Sequence, residues 1–557
     1  MKKTTYSFNR YIVLLMVIAA SACSKKFLER PPTDAIVDVN FYQTDEQVIA
    51  GTQLLYSKVW FDYNDKASYN LGDFRAGTAF SAWNDRGNVL FNTTGNTPEN
   101  GTAWRSFFIV VGQSNLAIQN IEKYSGPAVS PEIKKMAIAE ARFMRAVAYR
   151  FLVMNWGAVP IIENNLDLLG DTSISRNTVQ SVWKFITNEM RAVVEDLPAT
   201  PVRPGRVTKW SAEGMLARFY LVRAGVEGTG PTGRNQVFLD SAKYYAERVI
   251  TQSGASLLPD YAKLFTFPYD NNAESLFSLQ WVYAVGSWGA QNSAPAYLAY
   301  SPDIANGDGW GGDKGATWWM MEQYDGITAT ATGLQGRTLD QRLKATYMLP
   351  GARYPEITQS IPGGEQKLIF PFTGSDNNFL SIKKYVTGKA KDVGGQAASQ
   401  NYGHDTYMMR LAEMYLIYAE AELGNNTSTS DAKALQYFNK VHMRAGLPEY
   451  ILPLTMDVIF RERIVEFAME GMAWYDLVSL HYYNPDKAYA ILNSQDRGLF
   501  FTQPDVFPDP TSWKFTKTSW ATNERTINAN SGNFLLPIPS AEISQAPNLT
   551  KPPVDYY

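Results

Sequence analysis

The sequence predicts a mainly α-helical protein in which antiparallel helix pairs frame an irregular, loop-rich region containing short strands. Three observations predict it. Long stretches carry apolar residues at a helical period, a helix–loop–helix unit occurs twice with matching residues, and the period fades between residues 257 and 403 into Gly, Asn, Pro and aromatics. Of the 557 residues 45% are apolar and 19% charged, so a sizeable core is available, and the net charge of −3 argues against a nucleic-acid partner. Aromatic residues make up 13%, with 14 Trp and 32 Tyr, a richness that needs a use.

Met1 to Cys23 reads as a targeting segment. Lys2, Lys3 and Arg10 supply its basic part, and Tyr11 to Ala20 is apolar but too short to span a bilayer stably. The segment ends Ala20-Ser21-Ala22-Cys23, with Cys23 the only cysteine, which resembles a bacterial lipobox. That resemblance implies removal of residues 1–22 and acylation of Cys23 as the new first residue. The bland alternative is a secreted protein with an accidental cysteine. Acyl chains on Cys23 would hold the chain to a membrane, each buried CH₂ adding about 0.8 kcal/mol. Ser24, rather than Asp, is compatible with passage to an outer membrane. The mature chain then has no disulfide, thiol nucleophile or Cys-bound metal.

Phe41 to Val59 predicts a first helix, with Thr44 as cap and Asp45-Glu46 in its first turn. A loop-rich stretch follows at about 62–97. Helices are predicted at Trp104 to Tyr124, Pro131 to Trp156, Val179 to Leu197, Lys209 to Val226 and Leu239 to Thr251. Helical pattern resumes at Tyr407, stops at Gly424, restarts after Ser430 or Asp431 as cap, and stops again at Gly446. Met456 to Leu480 reads as one last long helix, and the tail as irregular. Leu216-Ala217, Tyr220-Leu221 and Ala224 match Leu411-Ala412, Tyr415-Leu416 and Ala419 position for position, and each set is followed by a helix opening Ala-Lys, at Ala242-Lys243 and Ala432-Lys433. Ala434 and Phe438 fit the Ala-x-x-x-Phe element of a tetratricopeptide second helix, so the pairs are read as tetratricopeptide-like repeats of an α–α superhelix.

Five segments together resemble the SusD/RagB family of Bacteroidetes surface lipoproteins. They are the Cys23 lipobox; Glu140 to Ala146 leading to Asn155-Trp-Gly-Ala-Val-Pro160; Met409 to Ala421; Arg461 to Gly471 with Trp474 to Leu477; and Leu535 to Ile543 with Pro547-Asn-Leu549. Met472-Ala473 departs from the pattern, since many relatives carry His-Arg after the Gly. The resemblance implies a binding protein rather than an enzyme, lipid-anchored and surface-exposed at the outer membrane. Its partner would be a SusC-type TonB-dependent barrel, to which it hands oligosaccharides or, in some members, peptides. It also implies a division into leader 1–22, an N-terminal helical part 23–256, a ligand-facing insert 257–403, and a C-terminal helical part and tail 404–557.

Sugars offer C–H faces to Trp and Tyr, and hydroxyls to Asn, Asp or Arg, on loops held by a rigid scaffold. Two loop groups have that composition: Asp73, Arg75, Trp83 and Asn84; and Trp288, Tyr297, Trp310, Trp318 and Trp319. For any one Trp a core position is at least as good a reading, and adjacent Trp318 and Trp319 point different ways, so one of them should be buried. Asp73 and Arg75 could equally pair with each other. Arg461 to Glu470 could hold an acid/base couple of a glycoside hydrolase, but intrahelical pairs with Arg461 and Arg463 are the favoured reading. A scaffold that grips only proteins is a further alternative. His404, His442 and His481 are isolated, and Gly307 to Gly315 lacks the ending of a nucleotide loop. Asp303, Asn306, Asp308 and Gly309 are rich in oxygen ligands, but their spacing is not that of an EF-hand. No cofactor is expected, with a structural calcium ion there as the one exception left open.

Overall fold

A computed structural model of the chain describes residues 38–557, apart from residues 231, 284–285, 287, 372–378 and 519–523. Cys23 and the leader therefore lie outside the described residues.

Helix α1 (Asp45–Gly51) is capped as expected, Thr44 accepting from the Gln47 N–H, but it ends at Gly51 instead of running to Val59. Tight turns at Gln53–Tyr56 and Lys58–Trp60 follow. Thr52 leaves the helix to donate to Glu140 Oε2 at 2.6 Å, a buried bond that an uninterrupted helix would not place there. Helices α2 (Pro98–Tyr124), α3 (Pro131–Trp156), α4 (Val179–Val193), α5 (Lys209–Val226) and α6 (Gln236–Gln252) come next. Pro at the first position of α2 and α3, and a Thr208–Ser211 capping box on α5, fix their starts. After the insert come α7 (Leu411–Leu423) and α8 (Ala432–Arg444). Asp431 caps α8, and Gly424 ends α7 at φ 54°.

From α2 to α8 each helix packs against the next, so α6 lies between α5 and α7. The two matching helix pairs, α5–α6 and α7–α8, are therefore neighbours in space, and the irregular insert is looped out between consecutive repeats. The repeat register makes a further point. Arg218 and Glu413 occupy equivalent positions of α5 and α7 and pair with each other, Nε to Oε1 at 2.8 Å, both buried. The repeated apolar residues Leu216, Ala217, Ala224, Leu411, Ala412, Leu416 and Ala419 are all fully buried.

Three expectations are corrected. Tyr407 does not open a helix. Thr406–Arg410 is a strand, antiparallel to Ser275–Leu279, and α7 begins only at Leu411. The last long helix is two, α9 (Met456–Phe467) and α10 (Ala473–Tyr483), broken where Met469 and Gly471 take φ of 63° and 68°. A Cβ on Gly72 would lie 2.3 Å from the Cα of Gly471, so the break is where a distant segment crosses. Finally, Glu462, Glu466 and Glu470 do not pair within their own helix. Glu466 is fully buried and accepts from Arg410 (3.0 Å), Arg444 (2.5 Å) and Arg342 (3.2 Å), which come from three other elements. Burial would push the Glu466 carboxyl up, but Arg444, Arg410 and Arg342 outweigh it and hold it down to about 2. A carboxyl so held is no general acid.

The insert has the short strands expected. The hairpin Ile327–Thr330/Gly333–Gly336 is extended by Trp513–Lys517 and Phe500–Pro504 into a four-stranded sheet, and Arg353–Ile361 pairs with Gly364–Ile369. Among the described residues no helix is long and apolar enough to cross a membrane.

Candidate functional site

Four of the nine loop residues leave the candidate set because they are buried. Asp73 accepts from Thr78 Oγ1 (2.9 Å) and from the backbone N–H groups of Met469 (2.7 Å) and Gly471 (2.9 Å). Its carboxyl is pushed up to about 6 by burial, partly offset by those bonds. Arg75 does not pair with it. Its Nη2 donates to the carbonyls of Asn533 (2.6 Å) and Phe534 (2.9 Å), and its guanidinium lies 4.2 Å from the ring centre of Phe91 and 4.7 Å from that of Trp474. Arg497 then donates to the carbonyls of Arg75 and Val89, each at 2.9 Å. Trp318 and Trp319 are both buried, not one of the two, because the short helix Trp318–Met321 is enclosed on all sides. Trp318 packs edge-on to Phe500 and donates Nε1 to Glu322 at 2.9 Å.

The other five reach the surface. Trp83 is 58% exposed, Trp288 60% and Trp310 46%; Asn84 is exposed and Tyr297 half-buried. Strand pairing brings Trp83 and Asn84 to the loop of Trp310. Ala79–Ser81 runs antiparallel to Lys314–Ala316, so residues 83–85 emerge beside the loop that carries Trp310. Asp313 joins them: its Oδ2 accepts from Ser81 Oγ (2.8 Å) and from Asn84 N and Nδ2 (3.2 Å each). Its other oxygen holds Lys314 Nζ at 2.8 Å. Burial works against the Asp313 carboxylate, but Lys314, Ser81 and the Asn84 N–H bring its pKa below the ordinary value.

The Trp310 N–H donates to the Ala296 carbonyl at 2.9 Å, and its ring lies 5.2 Å from that of Tyr297 at 46°. Lys66 sits 4.8 Å over the Tyr297 ring. Burial, then the carboxylates of Asp65 and Asp85, push the Tyr297 phenol up. Ser293 donates to Asp65 at 2.5 Å, and Trp288 stands edge-on to Phe61 at 5.5 Å, so residues 288–297 run along residues 61–66. The result is a set of exposed aromatic rings with amide, ammonium and carboxylate groups among them. Aromatic faces of this kind stack on apolar ring surfaces, while the polar groups orient hydroxyls. Asp65, Lys66 and Asp313 were not singled out from sequence. Asp313 follows Trp310-Gly-Gly and Asp65-Lys66 sits in the loop-rich stretch, yet nothing in either spacing marks them.

Among the described residues no three His, Cys, Asp or Glu side chains converge in a way that could hold a metal ion. In the oxygen-rich loop Asn306 Oδ1 accepts from the Ala390 N–H at 3.0 Å and Asp308 Oδ1 from the Tyr402 hydroxyl at 3.3 Å. His404 and His442 are buried, paired with Asp270 and Glu462 at 2.8 Å each. His481 stacks on Phe534 at 3.8 Å, and burial pulls its imidazole down to about 4.

Comparison with known proteins adds the following. A family model described as the SusD family matches residues 273–556, and one described as starch-binding associating with outer membrane matches residues 26–221. A SusD-like protein of Bacteroides ovatus is 35% identical, over 97% of this chain and 98% of its own. A solved structure described as being with xylogluco-oligosaccharide is 34% identical with a TM-score of 0.79, covering 92% of this chain and 99% of the other. A laminarin-binding SusD-like protein shares the fold at 22% identity, with a TM-score of 0.64 over 91% of this chain and 98% of its own.

Proposed function

Because the chain belongs to the SusD family, we propose that it captures a glycan on the surface formed by Trp83, Asn84, Trp288, Tyr297 and Trp310 and delivers it to a SusC-type TonB-dependent outer-membrane barrel. The observation that carries this reading is that exposed tryptophans stand on neighbouring loops, with Asp313, three residues after Trp310, bonded to Ser81 and Asn84 of the loop that bears Trp83. Core packing would have hidden the rings, whereas three of the tryptophans keep about half their surface in water. The relative solved with xylogluco-oligosaccharide names the first ligand to try. We read the chain as a binding protein without catalysis, in keeping with the paired state of Glu462, Glu466 and Glu470.

Calorimetric titration against xylogluco-oligosaccharides, other glycans and peptides, with product analysis alongside, tests the reading. Binding of one glycan class without sugar release is the expected result. A response to peptides alone moves the chain to a RagB-type peptide receptor, and sugar release makes it a hydrolase.

The anchor is tested separately. With Cys23 acylated, the protein fractionates with the outer membrane and is open to protease added to whole cells. Cys23→Ser should move most of it to the soluble fraction. Equal membrane retention of that variant would remove the lipid from the account.

A further inference from the structure

Arg150 projects from α3 into the helical core, where it is 2% exposed. Its Nε and Nη1 are buried without an acceptor among the described residues. What surrounds it is mostly ring: the centres of Tyr475 and Phe151 lie 4.7 and 5.0 Å from its guanidinium. The other guanidiniums nearby are matched. Arg218 pairs with Glu413, Arg463 forks onto Asp476 (2.9 and 2.7 Å), and Arg234 takes Glu420 at 2.8 Å. Arg150 is the cation left over from that pairing, and Nη1 of Arg463 is a further buried donor without an acceptor among the described residues.

Arg150, Arg218 and Arg463 together line a small cavity of about 20 Å³. That is room for one particle the size of a water molecule or slightly larger. An uncompensated buried charge costs several kcal/mol, and buried donors without acceptors mark the place of a water or an ion. A water would satisfy the donors but leave the charge.

We propose that this cavity binds a small monovalent anion, chloride under ordinary conditions, held by Arg150 and by Nη1 of Arg463. Phosphate, sulfate and carboxylate ligands are too large for the space. Glu413, Glu420 and Asp476 also form part of the wall, but Glu420 and Asp476 face Arg234 and Arg463, and Glu413, bonded to Arg218 and 3.6 Å from Arg463, reaches Arg150 with its charge and without a hydrogen bond. Burial, with Arg218 adding to the effect, pulls the Arg150 guanidinium down only to about 10, so it stays charged at neutral pH. The ion would tie α3 to α9, on which Arg463 sits, at the centre of the helical part. This site is independent of the glycan surface.

Crystals grown without halide and soaked in sodium bromide test it directly. An anomalous peak between Arg150 and Arg463 is expected. In solution, replacing sodium gluconate by sodium chloride at fixed ionic strength should raise Tm by about 1–2 °C per tenfold chloride once the site is filling. Arg150→Met, of similar length and apolar, should lose both the peak and the chloride dependence. A peak with no anomalous signal, meaning a water only, overturns the proposal. So does a chloride dependence that survives unchanged in Arg150→Met.

Discussion

Trp310→Ala is expected to weaken glycan binding about 10- to 100-fold in calorimetric titration while leaving the melting temperature within a few degrees of the parent. Nearly half of the Trp310 side chain is in water, so its removal opens no large void in the core. It does remove one ring of the pair with Tyr297. A centrally placed aromatic is the residue type whose truncation costs 2 kcal/mol or more of binding, which is roughly a 30-fold loss. Trp318→Ala provides the contrast. That ring is enclosed against Phe500, so its loss should cost about 3–5 kcal/mol of stability and leave the affinity of the folded fraction unchanged. If the two variants behave alike, the division between surface and core tryptophans drawn above is wrong.

Glu466→Ala is expected to destabilise the fold by about 3–5 kcal/mol, read from urea denaturation. Arg342, Arg410 and Arg444 converge on this one buried carboxylate, and although Asp340, Glu462, Glu274 and Glu470 still face them, removing it leaves each guanidinium with a buried donor short of its acceptor. The pH dependence follows from the sign of the shift. Glu466 has a pKa of about 2 in the folded chain, below its ordinary value, so its stabilisation is present above the unfolded value near 4.5 and is lost as pH falls through about 2. The parent should therefore lose stability between pH 4.5 and 2 more steeply than Glu466→Ala does. Parallel acid limbs for the two would show that Glu466 contributes nothing by its charge.

Much of the helical part was legible because local signals and burial agree. Pro131 starts α3 and Thr208 caps α5, and both helices end where their apolar pattern ends. The repeat was legible because its small and aromatic residues recur at fixed spacing, although nothing in either copy told that Arg218 would pair with Glu413. The errors arose where tertiary contacts override a local pattern. Ala468 to Met472 reads as helix, but Asp73 takes two backbone N–H groups there and the chain turns. The same contact explains why Asp73 and Arg75 read as ligand groups. Polar residues in a loop look alike in sequence whether they face water or cap backbone from hundreds of residues away. Exposure of Trp83, Trp288 and Trp310, against burial of Trp318 and Trp319, was likewise invisible, because composition carries no direction.

That long-range capping has a consequence for the order in which the protein can mature. The segment bearing Asp73 and Arg75 is held by Met469, Gly471, Arg497, Asn533 and Phe534, all supplied by the last hundred residues of the chain. Synthesis runs from the N-terminus, so residues 62–97 emerge well before the groups that fasten them. A nascent chain stopped short of Gly471 can form α2 to α6 and can pair Ala79–Ser81 with Lys314–Ala316, but it lacks the groups that fasten Asp73 and Arg75 at the base of the Trp83 loop. The base of the loop that carries Trp83, one part of the proposed glycan surface, is thus among the last places to be fastened.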